Sequence, residues 1–241
     1  MTLLKNIIGF FFSLRTTVWL LGIMLVMMLA GAFVMPGNKA FQELHSIPLF
    51  KWIQYQPLKI TWWLWSVIAI LAVMTLNTLF CSIESIVKKR KVTQWLLLIS
   101  PQIIHIGFLF ILLAHLLSAI GAYQQVTPGQ EGTVLKLSGT ETLLRIKDIT
   151  IRLDYYGYIS DWAVTVEYST GGNMFQQDII KPNKPSSFNG LNVNVKNLKP
   201  YPETVLLQLN REPGAVWALT GGIVFMIGIV TLIGLKIRIE K

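Results

Sequence analysis

Apolar residues in this chain gather into four long runs separated by polar or turn-rich stretches. The first, Thr17 to Met35, follows a short lead in which Phe10, Phe11 and Phe12 sit beside Lys5 and Arg15, and it stops at Pro36-Gly37. The second starts at Thr61 with Trp62, Trp63 and Trp65 and runs to about Ser82; the third is Trp95 to Tyr123; the last is Val216 to Leu235. A bilayer core of about 30 Å takes about 20 apolar residues in helix, so each run is long enough to span one. Basic residues ahead of the first run and Ala30-Gly31-Ala32 near its end also resemble a secretory signal peptide, but the run exceeds an ordinary signal core and reads as a spanning helix.

Between the third and fourth runs the period changes from helical to alternating. Thr133 to Leu137, Leu143 to Leu153, Trp162 to Tyr168, Phe175 to Ile180, Leu191 to Val195 and Thr204 to Leu209 read as short strands. Gly and Asn turns part them, among them Thr170-Gly171-Gly172-Asn173 and Phe188-Asn189-Gly190. The pattern predicts four transmembrane α-helices and a small all-β domain, an antiparallel sandwich or open barrel, between helices three and four. The expected divisions are 1–121 for helices one to three, with an interfacial segment 36–60 and a loop 83–94; 122–213 for the β domain; and 214–241 for the fourth helix and its tail.

Charge then sets the orientation. Net charge is +9, and the densest basic cluster, Lys88-Lys89-Arg90-Lys91, lies between two apolar runs. In that position it is a topology signal rather than a nucleic-acid site, and no nucleic-acid partner is expected. Loop 83–94 is then cytoplasmic, as are both termini, and the β domain is extracytoplasmic. Lys39, Lys51 and Lys59 in the outer segment are the charges that run against this assignment.

The composition, 53% hydrophobic with one cysteine, Cys81, excludes an intramolecular disulfide and covalent c-type haem attachment to this chain. Phosphate-binding glycine loops, zinc spacings and nucleophile elbows are missing as well, so no catalytic residue is expected. The chemistry-bearing residues are histidines. His105 and His115 lie inside the third apolar run, and an ionisable group at that depth marks a functional site by default. For His105, haem ligation and a hydrogen bond to Asn77 or to a carbonyl of a neighbouring helix both fit. Gly107 would let a flat ring or another helix approach closely. His115 stands about 15 Å further along the helix and some 80° around it, so the two imidazoles cannot clasp one iron. An interhelical hydrogen bond or a pore-facing polar role suits His115 better than ligation. His45, in the outer segment, reads as a surface residue, and Asn77 as a bond across to another helix.

Several stretches together resemble the ResB family, also called CcsB, of System II cytochrome c maturation. FFFSLRTTVWLLGIMLVMMLAGAFV is similar to its first helix. The second helix matches at Trp62, Trp63, Asn77 and Cys81, and the third at His105 and Gly107. PNKPSSFNG, Pro182 to Gly190, is similar to an Asn-x-Pro-x-x-Tyr-x-Gly element of the outer domain, and REPGAVWALTGGIVFMIGI to the entry of the last helix. The outer domain is shorter than is usual in that family. The resemblance implies a subunit that holds a non-covalent, b-type haem in transit and delivers it to apocytochrome c with a CcsA or ResC-like membrane partner. It implies His105 as an axial ligand to the haem iron, and a non-catalytic role within a haem lyase complex. The competing readings are a haem-bearing anchor and electron-transfer subunit of a respiratory complex, and a structural anchor without haem.

Overall fold

A computed structural model describes residues 13–88, 95–137, 141–171 and 173–239. Most of the Lys88-Lys89-Arg90-Lys91 cluster, the phenylalanines of the lead and Gly172 lie outside the described residues.

Long helices form where the sequence stays apolar for five or more turns, even where Pro101 falls inside one of them. These are α1, Leu14–Val34; α3, Leu58–Lys88; α4, Trp95–Gly121; and α5, Ala215–Ile239, with a 3-10 helix, Lys39–Glu43, and the short α2, Leu49–Tyr55, between α1 and α3. The four long helices are all apolar enough and long enough to cross a membrane, which makes the chain a multi-pass membrane protein. The chain falls into two units. One combines Met1–Gly121 with Pro213–Lys241; the other is Ala122–Glu212.

The helical order differs from the expected one at the 36–60 segment, which is folded rather than merely laid at an interface. Pro48 opens α2, and Pro57 precedes α3, which starts three residues earlier than the apolar run and extends to Lys88. Trp52 is fully buried and donates its indole N–H to the Ala40 carbonyl at 3.1 Å. Its ring packs 5.0 Å from that of Phe41, and both join Ile53, Trp63 and Val67 in a local core. Trp63 thus faces inward while Trp62 and Trp65, three apart on the helix, face outward as an aromatic belt would. Gly31 makes room for this core: a Cβ there would lie 2.5 Å from the Trp63 ring.

Contacts along the long helices give alternating directions. Thr17, early in α1, donates to Asn77 Oδ1, late in α3, at 2.5 Å. That is the cross-helix bond expected of Asn77, which is buried. Helices α4 and α5 run antiparallel along a seam of glycines spaced by seven: Gly214 lies against Ala114 and Ser118, Gly221 against Gly107 and Ile111, and Gly228 against Ile104. Glycine at these points lets the two backbones touch, which drives helix association where lipid removes any hydrophobic gain. Arg15, Lys88, Lys236 and Arg238 consequently fall at one end of the helical unit, and the segment 38–57 at the other.

The second unit is a sandwich of two four-stranded antiparallel sheets, ordered β1-β8-β7-β6 and β2-β3-β4-β5. The strands are β1 Tyr123–Gly129, β2 Val134–Lys136, β3 Thr142–Leu153, β4 Ile159–Thr170, β5 Asn173–Ile180, β6 Ser186–Phe188, β7 Leu191–Pro200 and β8 Glu203–Arg211. Alternation puts Leu144, Ile146, Val164, Val166, Val193, Val205 and Leu207 in the core at 0% exposure, each contributing roughly 1.5–3 kcal/mol by burial. β1 and β6 were not expected. Strand β1 carries Pro128, which a sheet tolerates at an edge, and β1 is an edge strand. The β6–β7 hairpin turns on Asn189 (φ 47°) and Gly190 (φ 74°), the left-handed pair that a two-residue turn requires.

Candidate functional site

His105 is half-buried on α4, and its Nδ1 lies 2.7 Å from Ser82 Oγ of α3. Of the hydrogen-bonded alternatives open from the sequence, neither Asn77 nor a backbone carbonyl is the partner; a hydroxyl five residues beyond Asn77 is. When Nδ1–H donates to that oxygen, Nε2 keeps its lone pair and is the nitrogen left for a ligand. No hydrogen bond engages Nε2 among the described residues. His105 lies within Ile99–Gly121, the part of α4 that is long and apolar enough to cross a membrane.

Gly107 sits two residues on and faces the other way. A Cβ there would lie 2.5 Å from the Phe225 nitrogen and 2.8 Å from the Gly221 carbonyl oxygen. Of the two occupants open to it, helix or flat ring, the helix fills the place. The face of α4 that bears His105 is therefore the one turned toward α3, and α5 closes the opposite side, with the Phe110 and Trp217 ring centroids 5.6 Å apart and tilted by 41°.

His115 is exposed, six residues from the other end of the span. It makes no hydrogen bond among the described residues. The structure does not bring His115 to His105. His45 is exposed in the turn after the 3-10 helix, at the end of the unit away from Arg15.

Two groups near His105 were not singled out from the sequence. In the sequence Ser82 is simply the close of the second apolar run. Gln102, one turn before His105, is 6% exposed with its Oε1 making no hydrogen bond. An amide inside an apolar run is the signal that would have found it, since its burial without a partner costs about 1–3 kcal/mol. Pro101 beside it removes a helix N–H, and Ser100 donates its hydroxyl to the Leu96 carbonyl at 2.6 Å. No group of three or more His, Cys, Asp or Glu that could hold a metal ion occurs among the described residues.

No family model matches the chain, and no curated protein is significantly similar to it. Among solved structures it is similar to a cytochrome c haem lyase, CcmF, at 13% identity and a TM-score of 0.46, over 86% of this chain and 34% of that one. The chain spans about a third of the length of the structure it matches.

Proposed function

We propose that this chain is a haem-holding, non-catalytic subunit of a bacterial inner-membrane complex that matures cytochrome c in the System II manner. The observation that carries the reading is His105: an imidazole within a membrane-spanning helix, one nitrogen held by Ser82 and the other unengaged. Neutral imidazole is a standard axial ligand of haem iron, and a porphyrin is apolar enough for that depth. The sequence motifs that resemble the ResB family include this histidine and Asn77, which ties α1 to α3.

In this reading His105 Nε2 gives the iron one axial nitrogen. His115 is ten residues away, too far to give the other, so a CcsA or ResC-like membrane partner supplies it. Bound haem supplies the group that apocytochrome c thiols receive. This chain orients it and limits its access to water, and the bond-forming chemistry belongs to the partner. The basic end of the helical unit lies in the cytoplasm and the β unit outside.

The test is a maturation assay in a host without its own pathway. The chain, a CcsA-like protein and a reporter apocytochrome with a CxxCH site are expressed together, and covalent haem on the reporter is stained after denaturing electrophoresis. Haem on the reporter is expected only with both membrane proteins. Equal staining when this chain is omitted contradicts the proposal.

A further inference from the structure

In the β unit two outer strands stop short and leave their neighbours half-paired. β5 pairs with β4 only from Val164 to Thr170, and β6 covers β7 only from Leu191 to Val193. The start of β4, from Ile159, and the rest of β7, from Asn194, therefore pair on one side alone, with β3 and β8. Between these two segments lies an open groove of about 430 Å³, with Ile159, Trp162, Pro182, Val195, Lys196 and Leu198 in its walls.

Two backbone N–H groups of those walls are met by the side chain of the residue before. Trp162 N–H donates to Asp161 Oδ1 at 2.9 Å, and Leu198 N–H to Asn197 Oδ1 at 2.8 Å. Local side chains thus stand where a further strand would offer carbonyls. A half-paired edge of this kind is a template for an added strand, and the groove beside it gives the alternate side chains of that strand a place to go.

Charge selects what kind of strand. Lys196 is the bulge residue of β7 and lines the groove; Lys181 and Lys184 flank Pro182, and Lys199 follows on β7. All four are exposed, and none makes an ion pair among the described residues. Asp161 is the one carboxylate in the groove wall. The turns that end β3 and β7 lie at the end of the sandwich away from Tyr123 and Arg211, which pair with each other. They carry Tyr155, Tyr156, Tyr158 and Tyr201 at 97%, 81%, 73% and 83% exposure. Rigid aromatic rings offer contact area at small entropic cost.

We propose that the β4–β7 groove binds an extended peptide segment bearing carboxylate side chains, added as a strand along the free edge of β7. The inference stands on the β unit and does not depend on the haem reading. The full chain is placed in nanodiscs of phosphatidylcholine and titrated into a fluorescein-labelled ten-residue peptide of alternating valine and glutamate, followed by anisotropy. Saturable binding is expected, about tenfold weaker for the Lys196→Glu/Lys199→Glu double variant. It should be lost when alternate peptide nitrogens are methylated and cannot donate to the edge. The substitutions are at exposed positions, and circular dichroism checks that the fold is kept. Three results each overturn the proposal: no binding, binding equal to that of empty nanodiscs, and binding that peptide methylation leaves intact.

Discussion

Ser82 matters to the account because an imidazole ligates only from the correct tautomer and orientation. Outer partners of ligating histidines are commonly worth 10–100-fold in affinity. Ser82→Ala is accordingly expected to weaken haem binding about tenfold or more in a titration followed by absorbance, while His115→Ala leaves it unchanged. Equal affinity for Ser82→Ala and the parent would remove the hydroxyl from the site. In the β unit the equivalent buried pair is Tyr168 and Ser186, whose hydroxyls lie 2.7 Å apart at 0% exposure. Burial, the largest cause, pushes the Tyr168 phenol above its ordinary value, with Asp178 adding to the rise and the Ser186 bond opposing it. The unfolded chain therefore releases this proton first as pH climbs. The stability it contributes is whole below about pH 10 and is lost as pH rises through the folded value. Alkaline unfolding followed by hydrogen exchange of β4 should show that loss, and Tyr168→Phe should flatten it. The same variant leaves the Ser186 hydroxyl buried and unpaired, at a cost of about 1–3 kcal/mol near neutral pH. A Tyr168→Phe protein with the parent's pH profile would contradict the assignment.

At the scale of elements, the α4–α5 seam yields a contrast between adjacent positions. A Cβ at Gly221 would lie 2.8 Å from the Gly107 carbonyl oxygen, whereas one at Gly222 meets nothing within 4 Å. Gly221→Ala is expected to lower stability by about 1–3 kcal/mol through overpacking, and Gly222→Ala to be neutral or slightly stabilising through helix propensity. Thermal denaturation in detergent compares them, and equal melting points would mean that the helices do not pack along this seam. The seam also shows what sequence can and cannot reveal. The four apolar runs and most strands were legible because hydrophobic period is a local property. The folding of 36–60 was not, since Phe41 and Trp52 are buried in one cluster with Trp63, which is 22 and 11 residues further along the chain, and their aromatic character fits a membrane interface equally well. β1 escaped notice because Pro128 and its glutamines suppress the strand pattern, which only an edge position excuses. His105 and Gly107 were visible as a polar and a small residue in an apolar run. Their partners, Ser82 and Phe225, come from other helices and could be found only in three dimensions.

For the whole molecule, helix direction and charge make a claim about sidedness. Arg15, Lys88 and Arg238 share one end of the helical unit, and positive residues close to spanning helices are kept in the cytoplasm. Reporter fusions at Arg90 and after Lys241 are expected to report cytoplasm, and fusions at Asn38 and Gly172 the outside. An external signal at Arg90 would reverse the orientation. Sidedness leaves the central claim, the ligand, still to be tested. The most direct measurement is the absorption spectrum of the purified complex of this chain with its CcsA-like partner, parent against His105→Ala, with and without added imidazole. A six-coordinate haem is expected in the parent, with a sharp loss of haem in an otherwise assembled variant and partial return when imidazole fills the vacated position. Haem content and spectrum unchanged by His105→Ala would contradict it.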